Sequence, residues 1–123
     1  MWGYRVKLRP ADVLFSKYIR ERAGWRCEYC NKDMSDRKQY LQNSHYYGRG
    51  KESTRFDPDN CMALCSYCHN KLGHGDKRDE YKRIMINKLG EKGFDLLTLR
   101  SNTTQKKDDE MTKIYIKKLL SEL

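Results

Sequence analysis

The sequence predicts a small α+β fold stapled by zinc, and three observations carry that prediction. Two CxxC pairs, Cys27/Cys30 and Cys65/Cys68, flank an interval of 34 residues. Two short runs between the pairs, 39–46 and 61–64, have the composition of extended chain. Amphipathic stripes at helical spacing lie on both sides, over 10–24, 76–89 and 108–123.

The elements follow in order. Residues 1–9 are basic and aromatic and read as a short strand or arm. Pro10 and Asp12 can open a helix. Val13, Leu14, Tyr18 and Ile19 give it one apolar face, and Gly24 can close it; Arg20 and Arg22 point away from that face, towards solvent or a ligand. A turn then carries Cys27 and Cys30. Residues 31–38 are polar and loop-like, 39–46 extended, and 48–54 a Gly/Arg/Lys loop. The sequence Asp57-Pro58-Asp59-Asn60 is a turn by composition, and 61–64 is the second strand. The second knuckle leads into a helix from His69 that Gly73 interrupts. Asp76 is a candidate N-cap for the next helix, with Tyr81, Ile84, Met85 and Leu89 as its apolar face. Residues 94–99, FDLLTL, fit a helix or a strand. The last helix carries a stripe of Met111, Ile114, Tyr115 and Leu119.

One domain is expected over residues 1–123. Its core spans about 24–75, an arm and helix 1–23 precede it, and a helical extension 76–123 follows. Only 37% of the residues are hydrophobic and 35% are charged, so a metal staple is a reasonable substitute for a large core. The formal charge is +9 and the pI about 9.4, which points to a polyanionic partner, nucleic acid first. Residues 1–26 hold seven Lys/Arg against two acids, whereas 27–75 hold seven against six; the excess flanks the Cys/His region. No run approaches the ~20 apolar residues of a membrane helix, and residues 1–10 lack the apolar core of an export signal. The expectation is an intracellular protein, in the cytoplasm of a bacterial or phage-infected cell, with reduced cysteines.

In that setting the CxxC pairs read as ligands rather than disulfides. Each knuckle places two sulfurs on one ion, and two knuckles complete a closed, structural zinc site. Cys61 is left over and reads as a small buried apolar residue. With four thiolates filling the zinc, His69 is surplus to it.

The pattern GWRCEYC … SHYYGRG … RFDPDN … ALCSYCHNKLG resembles the HNH endonuclease family, whose core is a ββα-metal fold. The order is the family's: a His, an Asn at the return of the hairpin, then a His at the helix start. The resemblance implies a metal-dependent DNA endonuclease with His45, Asn60 and His69 as catalytic residues. More narrowly, SHYYGRGKESTRFDPDNCMALCSYCHNKLG with the following helix is similar to phage recombination endonucleases of the NinG (Rap) type, which implies branched DNA as substrate. That group often carries Asn after its last Cys, where this chain has His69 and then Asn70.

The chemistry suits phosphodiester hydrolysis. A neutral His45 can take the proton of the attacking water. A divalent ion bound by His69 can neutralise the phosphate. Asn60 can orient His45 or simply close its turn. Ser44 stands where many of these enzymes carry a metal-binding Asp or His, and it is a poor ligand. Asp57, Asp59 or Asn70 could then contribute to the ion, and weak binding in the absence of DNA is expected. Mg²⁺ or Mn²⁺ tolerates such water-rich ligation, with Zn²⁺ and Ni²⁺ as the other candidates. Tyr46, Tyr47, Arg49, Lys51, Arg55, Lys71 and His74 are the candidate DNA contacts. The C-terminal stripe offers a homodimer surface. The competing reading is a catalytically silent zinc module that binds DNA or RNA.

Overall fold

The computed structural model describes residues 7–73, 77–104 and 106–123. The expectations for the N-terminal arm at 1–6, for His74 and for the Asp76 cap lie outside the described residues. Five α-helices and one two-stranded antiparallel sheet are present among the described residues.

Helix α1 spans Pro10–Arg22. Pro10 sits at its first position, where a missing N–H costs nothing. The Asp12 carboxylate closes the start by accepting the Arg9 backbone N–H at 2.7 Å. Gly24, at φ +64°, follows the last turn as expected. Ala11, Phe15, Tyr18 and Ile19 are buried. Val13 is 58% exposed, so the buried face is rotated from the expected one, which had been drawn through Val13 and Leu14.

Strand β1 (Leu41–His45) pairs with β2 (Cys61–Cys65), Leu41 opposite Cys65 and His45 opposite Cys61. Side chains alternate across a strand. Leu41, Asn43 and His45 therefore share one face, and Ser44 takes the other. All five residues of β2 are buried. The first cysteine knuckle is bound to this strand: Glu28 N–H donates to the Ala63 carbonyl at 2.8 Å, and Ala63 N–H donates to the Glu28 carboxylate at 2.6 Å.

The hairpin connection is not a plain loop. It contains a one-turn helix α2 (Glu52–Arg55) and a 3₁₀ turn at Pro58–Asn60, capped by the Asp57 carboxylate on Asp59 N–H. Helix α3 (Ser66–Gly73) starts three residues earlier than expected, directly after β2. Helix α4 (Arg78–Ser101) is broken at Gly90, where φ is 78° and ψ 161°. The segment 94–99 is helical, which resolves its ambiguity. Tyr81, Met85, Phe94 and Leu97 are its buried residues besides Ser101. Tyr46 is enclosed by Tyr47, Tyr81 and Phe94, all edge-on.

Helix α5 (Asp109–Ser121) is capped by Asp108, which accepts from Glu110 N–H and Met111 N–H. It packs on α1 through Thr112 and Ile116. Of the expected stripe, Met111, Ile114 and Tyr115 are exposed, whereas Leu119 packs half-buried against the core. Their periodicity marked an apolar face, but it is Thr112 and Ile116 that are buried. No helix among the described residues is long and apolar enough to cross a membrane.

Candidate active site

The sulfurs of Cys27, Cys30, Cys65 and Cys68 lie within 4.8 Å of one another. Cys30 and Cys65 sulfurs are 3.9 Å apart. Zinc with ~2.3 Å bonds to a tetrahedron of sulfurs would separate them by ~3.8 Å, so the four residues fit a zinc ion. Cys61 is fully buried and burial pushes its thiol pKa up; it is an inert apolar neighbour, separate from this cluster.

His45 ends β1, and its Nε2 lies 2.9 Å from the Arg55 carbonyl. A carbonyl only accepts, so Nε2 of the neutral ring carries the hydrogen. The lone pair is then on Nδ1. Burial lowers the His45 pKa to about 4, against the opposing pull of the Arg55 carbonyl. The ring is therefore neutral at physiological pH.

The Arg55 carbonyl is held from two sides. Its side chain is buried and donates to both oxygens of Asp12 on α1, at 2.9 and 2.5 Å, and to the Lys7 carbonyl at 2.7 Å. Asn60 fixes the preceding residue. Its amide donates to the Thr54 carbonyl at 3.0 Å and the Tyr47 carbonyl at 2.9 Å, and its oxygen accepts from Tyr47 N–H at 2.9 Å. Asn60 thus bonds the chain just after His45 to the chain just before Arg55. Among the described residues, its side-chain hydrogen bonds go to these backbone groups.

His45 and His69 line one cleft of about 440 Å³, together with Asn43, Arg20 and Arg49. His69 arrives on α3, half-buried, from the sequence just after the second knuckle. Asn43 is two residues before His45 on the same strand face. It is 9% exposed, its amide nitrogen is 3.4 Å from Ser16 Oγ, and its Oδ1 is buried without a hydrogen-bond partner. Nε of Arg20 and of Arg49 are likewise buried and without a hydrogen-bond partner. Among the described residues, no carboxylate lines the cleft. Imidazole nitrogen, an orphaned amide oxygen and two guanidinium groups suit a divalent ion that shares its shell with water and a phosphate.

Several expected site residues are elsewhere. Ser44 is buried on the opposite strand face, where its hydroxyl meets Tyr81 Oη at 2.8 Å. Asp57 and Asp59 bind Arg100 of α4, at 2.7 and 3.2 Å, and do not line the cleft. Arg55 is buried against Asp12 and is not a surface cation. Tyr46 is core, and Tyr47 bonds Thr98 through its hydroxyl at 2.7 Å. Arg55 and Tyr46 are buried, and Tyr47 is half-buried. Lys51 and Asn70 are exposed, and Lys71 Nζ lies 5.8 Å from the Tyr29 ring. Among the described residues, Arg49 is the expected contact that lines the cleft. Asn43 was missed, although the strand period of two counted back from His45 would have found it.

Residues 27–75 match the HNH endonuclease family profile. The matched HNH segment holds both knuckles, the hairpin and α3. It gives this part of the chain a nuclease-type character in general terms. Comparisons with curated proteins and with solved structures returned no match.

Proposed function

We propose that the protein is a metal-dependent DNA endonuclease that hydrolyses phosphodiester bonds at the His45–His69 cleft. One observation carries this reading. His45 has its Nε2 committed to the Arg55 carbonyl, so Nδ1 is the basic atom in a cleft that also holds His69 and two arginines. His45 Nδ1 accepts the proton of the attacking water. Arg20 and Arg49 supply donors to the phosphate oxygens. His69 and Asn43 Oδ1 are the residues that would hold the divalent ion. When bound, that ion offsets charge on the scissile phosphate and on the departing oxygen. The imidazole suits Ni²⁺ or Zn²⁺, whereas the amide oxygen with a water-rich shell suits Mg²⁺ or Mn²⁺. Asn60 acts as a positioning residue, through the backbone on either side of His45 and Arg55.

The test is nicking of supercoiled plasmid with each of these ions. His45→Ala should lower the rate by roughly 10²–10⁴-fold, the usual share of a general base, with zinc content and DNA binding preserved. Wild-type protein that binds DNA but nicks nothing with any ion would favour the silent zinc module instead. Action on branched DNA in phage recombination is the finer reading drawn from the resemblance. It predicts faster cutting of a flap or four-way junction than of plain duplex. The outward stripe of Met111, Ile114 and Tyr115 supports a homodimer through the C-terminal helices, which light scattering would detect.

A further inference from the structure

A second groove, of about 480 Å³, adjoins the cleft and shares Arg20 with it. Its floor is apolar: Val13 and Leu14 of α1 with Trp25. Its rim is cationic: Lys17 of α1, Lys38, and Lys117 of α5. Lys113 also lines it and pairs with the exposed Glu110; among the described residues no acidic one lines the groove itself. Arg20 and Lys38 lie over the Trp25 ring at 5.3 and 4.7 Å. Val13, the residue that departs from the buried stripe of α1, is part of this floor.

Two features of the groove specify an occupant. Cations without acids select phosphate, and their line continues from Arg20 at the cleft. An apolar floor gains nothing from a paired duplex, whose base faces are stacked inside. It gains from an unstacked base, whose flat face is apolar. Resting on the endonuclease reading above, we propose that this groove holds unpaired DNA next to the scissile phosphate. Phosphates lie on Arg20, Lys17 and Lys117, and a base lies against Val13, Leu14 and Trp25. The preferred substrate is then a strand with a single-stranded segment beside the cut, such as a flap or gap.

The experiment measures binding by fluorescence anisotropy, with His45→Ala protein so that no strand is cut. The probes are a labelled single strand, a blunt duplex and the same duplex with a flap. In this background Lys17→Glu/Lys117→Glu should lower the salt slope on the single strand by ~1.4, the value for two lost phosphate contacts. Val13→Ser should weaken the flap and single strand by roughly threefold to tenfold, a fraction of a base-stacking contact, and leave the blunt duplex unchanged. Val13 and both lysines are exposed, and circular dichroism with zinc content checks folding. Equal losses on blunt duplex and flap would overturn the proposal. So would a poly-glutamate peptide that competes as well as a DNA strand of equal charge, since that would make the groove an acidic-protein site. The two readings fail separately. His45-dependent plasmid nicking with no groove effect overturns only the groove; groove effects without nicking by wild-type protein overturn only the endonuclease.

Discussion

Asn60 is fully buried and closes three hydrogen bonds to backbone. Asn60→Ala would leave Tyr47 N–H and two carbonyls unsatisfied, at about 1–3 kcal/mol for each buried group that water cannot reach. The expected result is a drop of several kcal/mol in urea unfolding, together with lost nicking. Asn60→Asp keeps the acceptor for Tyr47 N–H but loses both donors, so it should rescue little. Arg55 and Asp12 make a second test. Asp12→Ala leaves the buried Arg55 guanidinium with only the longer Glu52 pair at 3.7 Å and the Lys7 carbonyl; it should cost up to ~3–5 kcal/mol, of which replacing both residues by apolar ones should recover a large part. A double-mutant cycle measures this. His45 gives a pH test. Its pKa is about 4 when folded and ~6.5 when unfolded. Between those values the unfolded chain holds the proton and the folded chain does not. Stability is therefore complete above pH 6.5 and falls as pH drops towards 4. Relative to His45→Gln, wild type should lose about 2 kcal/mol between pH 7 and pH 5. Equal pH dependence in the two proteins would contradict a buried neutral imidazole.

At the scale of elements, Gly90 divides α4 with a backbone conformation that other residues rarely adopt. A Cβ there meets nothing within 4 Å, so Gly90→Ala tests conformation alone. It should destabilise by about 1–3 kcal/mol, read in urea unfolding. An unchanged midpoint would mean the break is not required. The break lets the first half of α4 bring Tyr81 to Ser44 while the second half brings Arg100 to Asp57 and Asp59. The hairpin is likewise fixed at both ends. Asn60 and Tyr46 N–H close one end, and the cysteine knuckles close the other. The stripe on α5 was legible as apolar but not as outward-facing. Periodicity gives a face its chemistry; only the neighbour's shape decides which face is covered.

At the scale of the whole molecule, the four-cysteine cluster, which could hold a zinc ion, joins 27–30 to 65–68 and so connects the His45 strand to the His69 helix. A one-to-one zinc content is expected, and Cys68→Ser or a strong chelator should release the ion, lower the thermal midpoint and abolish nicking together. Loss of zinc without loss of fold would show that the apolar core alone positions the two histidines. Lys/Arg outnumber acids most strongly outside 27–75, and the structure brings part of that excess to the cleft through Arg20 and to the adjoining groove through Lys17 and Lys117. Nucleic-acid affinity should accordingly fall steeply with salt.

The sequence by itself determined the four-cysteine pattern, the two strands and the long helices, each from local spacing: a CxxC turn, a period of two, a period near four. The placing of His45 with His69 in one site rests on the resemblance to the HNH endonucleases. Tertiary structure alone decided which polar groups face the cleft. Asp57 and Asp59 look like ligands until Arg100 of α4, 43 and 41 residues away, takes them. Arg55 looks like a DNA contact until Asp12 buries it. Ser44 looks like a missing ligand, yet the strand turns it to Tyr81 and gives its place in the cleft to Asn43. Such assignments depend on long-range partners, and a buried charge or amide goes to whichever partner best offsets its lost hydration. Spacing along the chain carries no record of that partner.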